Sequence, residues 1–357
     1  EVGDPAYYTK AEGVLKKALE LDPKNVNAMG GLGSLALSRH QFAQGLEWGK
    51  KAQALQPNTA YNYGVMGDAL VELGRYDEAV QTVQKMIDLR PDVSSYSRVS
   101  YLRELYGQYD GAIEAMQEAV QAASGPIPEN RAWVTYQLGN LYFNKGDLAN
   151  AEKTYQEALD TLPNYVYALA GIGKIKAAQG DLDGALSIYA DITKRMPLAE
   201  FIIEYGDLFN AAGKPTEAAR QYELVRAIQK LYTDNGVDTD MEMALFDADH
   251  DNNLPSALER AKREYSIRPS IKAADVLAWT LYKTGDYKAA SDASKQALRL
   301  GTQDSLPFYH AGIIAYKLGQ TAEARAYLEK ALTLNPNFSL LYVPEARKTL
   351  QELGAVK

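Results

Sequence analysis

Ten small residues return along this sequence at a nearly constant interval. From Ala11 the equivalents fall at Gly45, Ala79, Ala112, Ala151, Ala185, Ala218, Ala257, Ala290 and Ala324, spaced 34, 34, 33, 39, 34, 33, 39, 33 and 34 residues apart. Two further markers run in phase. Five residues before the anchor stands glycine at Gly74, Gly107, Gly146, Gly180, Gly213, Gly285 and Gly319. Twelve residues after it stands proline at Pro23, Pro57, Pro91, Pro163, Pro197, Pro269 and Pro336. Three markers in register define a repeat, and a repeat of this length constrains the fold more tightly than any composition does.

Each unit reads as a helical hairpin. In NRAWVTYQLGNLYFNKGDLANAEKTYQEALDTLPN (130–164) the apolar residues recur at three and four, the period of an amphipathic helix. Glycine interrupts the run because a tight interhelix turn needs a residue that accepts positive φ. The small anchor lets the second helix approach the first, and proline ends it by withholding a backbone donor. One such hairpin has too little core to stand alone and must stack on its neighbours.

The pattern resembles the tetratricopeptide repeat family. Its motif is matched by Leu138, Gly139, Tyr142, Ala151, Tyr155, Ala158 and Pro163, again by Gly67, Gly74, Tyr76, Ala79 and Pro91, and last by Gly312, Gly319, Ala324, Ala331 and Pro336. The resemblance implies an all-α, right-handed superhelical solenoid of about ten hairpins, followed by a capping helix at 344–353. The two 39-residue spacings mark insertions at 122–130 and 232–240. They divide one continuous solenoid into 1–121 (repeats one to four), 122–130 (insert), 131–231 (five to seven), 232–337 (eight to ten) and 338–357 (cap). Repeat one is a half-repeat, since only EVGDPAYYTK precedes Ala11. Its apolar face around Ala11, Leu15 and Ala18 is expected to be covered by Tyr7 and Tyr8 or a neighbouring molecule, with further chain upstream in the natural protein.

Composition narrows the chemistry. A net charge of −8 and the absence of a clustered basic face argue against nucleic acid as partner. No apolar run is long enough to span a bilayer. With no cysteine and only His40, His250 and His310, neither a disulfide nor a zinc site is expected, and no catalytic constellation is apparent. The lack of cysteine leans toward an exported or cell-envelope protein. GLGSLA (31–36) carries dinucleotide-type glycines but sits inside a helical run with no preceding strand, so Gly33 reads as a packing residue. The expectation is a non-enzymatic protein without cofactor.

DADHDNN (247–253) looks like a cation loop through Asp247, Asp249 and Asp251. It lacks the glycine and glutamate that a calcium loop needs at its sixth and twelfth positions, where Asn252 and Leu258 stand. Asn252 also occupies the turn-glycine slot of repeat eight, as His40 does in repeat two, so the stretch reads as an interhelix turn with Asn252 left-handed.

The resemblance implies a binding groove lined by the first helix of each repeat. The family's offsets select Tyr61, Asp68 and Glu72 in repeat three, Tyr101 in four, and Trp133, Tyr136, Asn140 and Phe143 in five. They continue with Tyr167, Asp207, Trp279, Tyr282, Tyr309 and Tyr316. No repeat carries the lysine–asparagine clamp used on acidic chaperone tails, because Tyr136 replaces the lysine before Asn140. An acidic, aromatic groove suits a neutral or basic, partly apolar peptide or protein segment. The alternative is an assembly subunit that self-associates or docks through its solenoid ends.

Overall fold

The computed structural model describes residues 4–355, and every regular element among them is a helix. A single helix, α1 (Ala6–Leu21), opens the stack. Hairpins follow as α2 (Val26–Ser38) with α3 (Phe42–Leu55), α4 (Ala60–Glu72) with α5 (Tyr76–Leu89), and α6 (Val93–Leu105) with α7 (Tyr109–Ala122). The middle of the chain pairs α8 (Pro128–Asn144) with α9 (Leu148–Thr161), α10 (Val166–Ala178) with α11 (Leu182–Arg195), and α12 (Ala199–Ala211) with α13 (Pro215–Asp234). The last hairpins are α14 (Asp240–Asp249) with α15 (Leu254–Ile267), α16 (Ile271–Lys283) with α17 (Tyr287–Ala297), and α18 (Ser305–Lys317) with α19 (Thr321–Leu334). A cap, α20 (Val343–Ala355), closes the stack.

The anchors pack as the period requires. Ala79, Ala112, Ala151, Ala185, Ala257, Ala290 and Ala324 are wholly buried, whereas Ala11 is exposed. Two tyrosines pack in the same register: the Tyr155 ring lies against Gly139 and Gly171, and the Tyr189 ring against Gly173. At α1 the expected open face is shifted. Leu15 faces Gly31 of α2, and the exposed stripe is Tyr7, Val14 and Leu21.

The superhelix winds so tightly that its second pass touches its first. Interhelix turns of repeats two to five meet the loops that end repeats seven to ten. His40 Nδ1 donates to the Asp238 carbonyl at 2.7 Å, and the Asp238 amide donates to the Arg39 carbonyl at 3.0 Å. Tyr76 OH accepts from the Ile271 amide at 2.8 Å. Asn335 Nδ2 donates to the Phe143 carbonyl at 2.9 Å. Arg268 lies over the Phe42 ring, Arg299 over Tyr76 and Lys272 over Tyr101. Most of these contacts join residues about 190–200 apart in sequence, so they form one seam five repeats in pitch.

The seam explains a difference among the turn glycines. Gly74 (φ +70°) and Gly213 (φ +71°) have the same left-handed backbone. A Cβ on Gly74 would lie 2.5 Å from the Pro269 carbonyl oxygen, while one on Gly213 would meet nothing within 4 Å. In repeat two the slot holds His40 (φ 58°), whose ring makes the seam bond itself. In repeat eight the expected Asn252 is not left-handed. Asp251 (φ 49°) and Asn253 (φ 45°) take that role, because the turn is one residue broader there.

Candidate functional site

The tight winding shapes a half-open lumen of ≈ 1170 Å³. First helices of repeats three to nine present side chains to it, because the period places one face of each on the inside of the curve. Tyr101, Trp133, Tyr136 and Phe143 supply aromatic surface, and Asn140 a polar edge. Six carboxylates, Asp68, Glu104, Glu204, Asp207, Asp275 and Asp304, face three cations, Arg98, Lys174 and Lys272, so the lining is net acidic.

Most of these charges are tied into pairs. Arg98 grips Asp68 in a bidentate pair at 2.8 and 2.6 Å. Lys174 lies 2.7 Å from Glu204, whose other oxygen accepts from Tyr189 OH. Burial pulls the Lys174 ammonium down, but Glu204 outweighs it and holds the pKa above the ordinary lysine value. His250 Nδ1 donates to the Phe246 carbonyl at 2.8 Å, and its Nε2 lies 2.9 Å from Asp207, where it donates when the ring is protonated. Its pKa is raised accordingly: burial opposes the charge and Asp207 outweighs burial.

Glu104 and Asp304 are held by neutral donors. Glu104 accepts from Asn144 at 3.3 Å and Tyr109 OH at 3.4 Å, and Asp304 caps α18 through the Leu306 amide. Enclosure pushes both carboxyls above the usual range, although Asp304 keeps accessible surface that faces the lumen. Lys272 eases both charges through space, and a further, incoming cation would ease them more.

The groove residues expected from sequence divide into three groups. Asp68, Tyr101, Trp133, Tyr136, Asn140, Phe143 and Asp207 line the lumen. Tyr61, Glu72 and Tyr167 lie beside it: Tyr61 covers Gly30 and shares a 2.6 Å bond with Ser34, Glu72 is 3.8 Å from Arg268, and Tyr167 packs on Tyr136 and Phe201. The residues of repeats nine and ten do not offer a free surface. Trp279 and Tyr309 are 1% and 0% exposed, Tyr282 stacks on Trp279, and Tyr316 donates to Glu352 of α20. The chain's own C-terminal segment packs over these residues through Tyr342, Glu345 and Glu352.

The three aspartates of DADHDNN point to separate donors rather than to a common centre. Asp247 is buried against Arg226 and Arg260, Asp249 accepts from Trp279 Nε1 and Tyr342 OH, and Asp251 pairs with Lys283. A different trio does converge. Asp238, Asp240 and Glu264 bring one oxygen each within 4.8 Å. Arg263 and Arg260 hold Asp240, and Arg268 holds Glu264, so the arrangement is a charge network at the seam. Sequence reasoning missed Glu264 and Arg268, which face each other one turn apart on α15 yet serve a seam that only the winding creates. It also missed Lys272 and Asp304 as lumen charges, while the groove offsets do select Glu104 in repeat four. A search for lone charges at the start of each first helix would have flagged both.

None of the described helices is long and apolar enough to cross a membrane. A tetratricopeptide repeat family model matches residues 8–60, 65–126, 106–166 and 136–200. The family described as anaphase-promoting complex, cyclosome, subunit 3 matches residues 250–331. The chain is 20% identical over 303 residues to the TPR repeat-containing protein YpiA of Bacillus subtilis, covering 82% of this chain and 62% of that protein. It is 22% identical over 216 residues to the cellulose synthase 1 operon protein C of Komagataeibacter xylinus, covering 60% of this chain. It spans only 14% of that relative's length, and 18% and 21% of two others. A monomeric mutant of IFIT1 solved with m7Gppp-AAAA shares the fold at a TM-score of 0.52 and 14% identity, over 92% of this chain and 76% of that one. The repeat matches cover more than half of the sequence, and the helices pair as the repeat demands: the chain belongs to the tetratricopeptide repeat family, whose hairpin stack is a scaffold for protein–protein interaction.

Proposed function

We propose that the lumen is the binding surface, and that it takes a neutral or basic, partly apolar peptide or protein segment. The observation that carries this reading is the lining itself. Aromatic rings with polar tips stand beside two carboxylates, Glu104 and Asp304, whose hydrogen bonds come from neutral donors and whose only nearby lining cation is Lys272, which ion-pairs with neither among the described residues. An apolar side chain gains by covering Trp133, which is 40% exposed, and a lysine or arginine gains by neutralising the enclosed acids. The relatives belong to unrelated assemblies, so the ligand class rests on the chemistry of the lining.

A photo-crosslinking amino acid placed at Trp133 tests the reading against the same probe at Leu224, an exposed residue of α13. The partner should crosslink from position 133 and not from 224. Crosslinking from 224 alone would overturn lumen binding. Glu104→Gln should weaken a basic partner, most at low salt, and leave a neutral one unchanged.

A second reading, assembly through the solenoid end, is favoured by the stripe Tyr7, Val14 and Leu21 on α1, which is 62–78% exposed. If that stripe drives association, Val14→Lys converts an oligomer into a monomer in sedimentation. An unchanged sedimentation coefficient rules the end out.

A further inference from the structure

The connection into α20 departs from the rule that the other repeats keep. After Pro23, Pro57, Pro91, Pro163, Pro197 and Pro269 the next helix starts two or three residues later, at Val26, Ala60, Val93, Val166, Ala199 and Ile271. After Pro336 it starts seven residues later, at Val343. The cause is Pro344. A helix begun at the usual place would need an amide donor from residue 344 to the Leu340 carbonyl, and proline has none. Pro344 instead suits the first turn of a helix begun late.

The freed residues do not loop outward. Asn335 Nδ2 donates to the Phe143 carbonyl at 2.9 Å and pins the entry. Tyr342 pins the exit: its OH donates to Asp249 at 2.6 Å, and its ring lies 4.7 Å from Tyr309 and 5.4 Å from Trp279. Between the pins, Asn337, Phe338, Ser339 and Leu340 line the lumen. The Phe338 ring is 5.7 Å from the Tyr309 ring. Leu340 packs against the apolar cluster of repeats six and seven that includes Ala177 and Leu208, both lumen-lining residues more than 130 positions upstream. The stretch 335–343 carries no charge. Its apolar side chains at 338 and 340 are half-buried, unlike the fully buried anchors of the repeats.

We propose that Phe338 and Leu340 occupy two ligand subsites of the lumen, an aromatic one against Tyr309 and an aliphatic one on the inner face of repeats six and seven. The partner the lumen accepts presents an uncharged aromatic–x–aliphatic segment that replaces them. The inference rests on the lumen being the binding surface and adds the sequence class of the ligand and the resident competitor. It also accounts for the covered inner face of repeats nine and ten. Tyr342 and α20 stay in place during exchange, because Ala346 and Leu353 are buried and Glu345 accepts from Tyr309 OH at 2.6 Å. Only the tip between the two pins moves.

The test uses the whole chain and a fluorescent peptide with the chain's own sequence Asn-Pro-Asn-Phe-Ser-Leu-Leu-Tyr-Val. In the double variant Phe338→Ser, Leu340→Ser the resident side chains are removed, and the peptide should bind about tenfold or more tightly than it binds the native chain, since self-occupancy lowers apparent affinity by the fraction of open sites. A control peptide with serine at both positions should not bind. Equal affinity for both proteins, or no binding to a variant that keeps its helical spectrum and cooperative melt, overturns the proposal. Should the variant fail to fold, the native chain carrying 4-fluorophenylalanine at Phe338 decides: excess unlabelled peptide must shift its fluorine resonance toward the solvent-exposed position, and an unmoved resonance at saturation overturns exchange. Crosslinking of a partner at Trp133 together with failure of these assays would reject the subsites and leave lumen binding standing.

Discussion

Two insertions of equal size interrupt the repeat, and they meet opposite fates. Both lengthen the anchor spacing to 39 residues. The first lengthens α8 to 17 residues and leaves a loop at 123–127 whose Ile127 is 56% exposed and whose Gly125 has nothing within 4 Å. The second lengthens α13 to 20 residues and leads into a loop at 235–239 that is bonded to repeat two and buries Val237. Composition does not separate them, since both are rich in small and polar residues. Position in the winding does. A loop ending repeat seven passes over the turn of repeat two, five repeats back. The loop ending repeat four lies in the first pass, and no described turn packs against it. An insertion acquires structure here from what the superhelix places beneath it.

The largest expected effect follows from replacing 235–239 with a glycine–serine linker of the same length. The linker still offers the backbone groups that meet His40, the Arg39 carbonyl and Gln41 Nε2, the last at 3.2 Å from the Gly236 carbonyl, but it loses the Val237 side chain and the restriction that holds those groups in place. With about 1.5–3 kcal/mol for the burial of Val237 and about 0.5–1 kcal/mol for the backbone freedom of each added glycine, chemical denaturation should show a loss of roughly 2–4 kcal/mol. Hydrogen exchange should speed up in the turn at 39–41 as well as in the loop. Unchanged exchange at 39–41 would mean the seam is not maintained in solution.

A finer cut compares two glycines with the same φ. Gly213→Ala forces a left-handed alanine and should cost about 1–2 kcal/mol. Gly74→Ala carries that same penalty plus a clash with the Pro269 carbonyl, so its extra loss measures the seam alone. Equal losses for the two variants would show the passes separating freely.

Much of this architecture was legible before any coordinates. The period, the anchor alanines and the turn glycines are local rules, and each can be read from a window of about one repeat. His40 and DADHDNN were placed as turns for the same reason. The seam escaped because it depends on the summed rotation of five repeats, which no local pattern encodes, and because its partners are mostly backbone carbonyls that any sequence supplies. The sequence offsets point Trp279 and Tyr309 into an open groove for a related cause. Their offsets are inward, yet whether an inward face is open depends on Pro344, more than thirty residues downstream of Tyr309, delaying a helix. The late start was visible in the sequence; its route through the lumen was not.

A smaller effect concerns α14, the short helix that the second insertion feeds. Its terminal His250 has a raised pKa through Asp207, so the folded state binds a proton that the unfolded chain releases more easily. The pair then contributes stability that is fully present below the unfolded histidine value of about 6.5 and is lost as pH rises through the higher folded value. Melting of the native chain should fall across that interval. In His250→Gln the dependence should flatten, and an unchanged slope would assign it to another group.

The smallest effect is expected at the first insertion, and it sharpens the contrast most. Adding four glycine–serine residues between Ser124 and Gly125 lengthens a loop with open space around it. Loop closure grows only with the logarithm of length, so the loss should be no more than about 0.6 kcal/mol. The flanking contacts should hold: Ala123 stays buried under α7, and Arg131 still reaches the Val120 carbonyl. The same four residues placed between Gly236 and Val237 separate two bonds that must be made at fixed distance to Gln41 and His40, and should cost several times more. Equal, small losses at both sites would mean that the second loop is as free as the first, and that the winding closes without it.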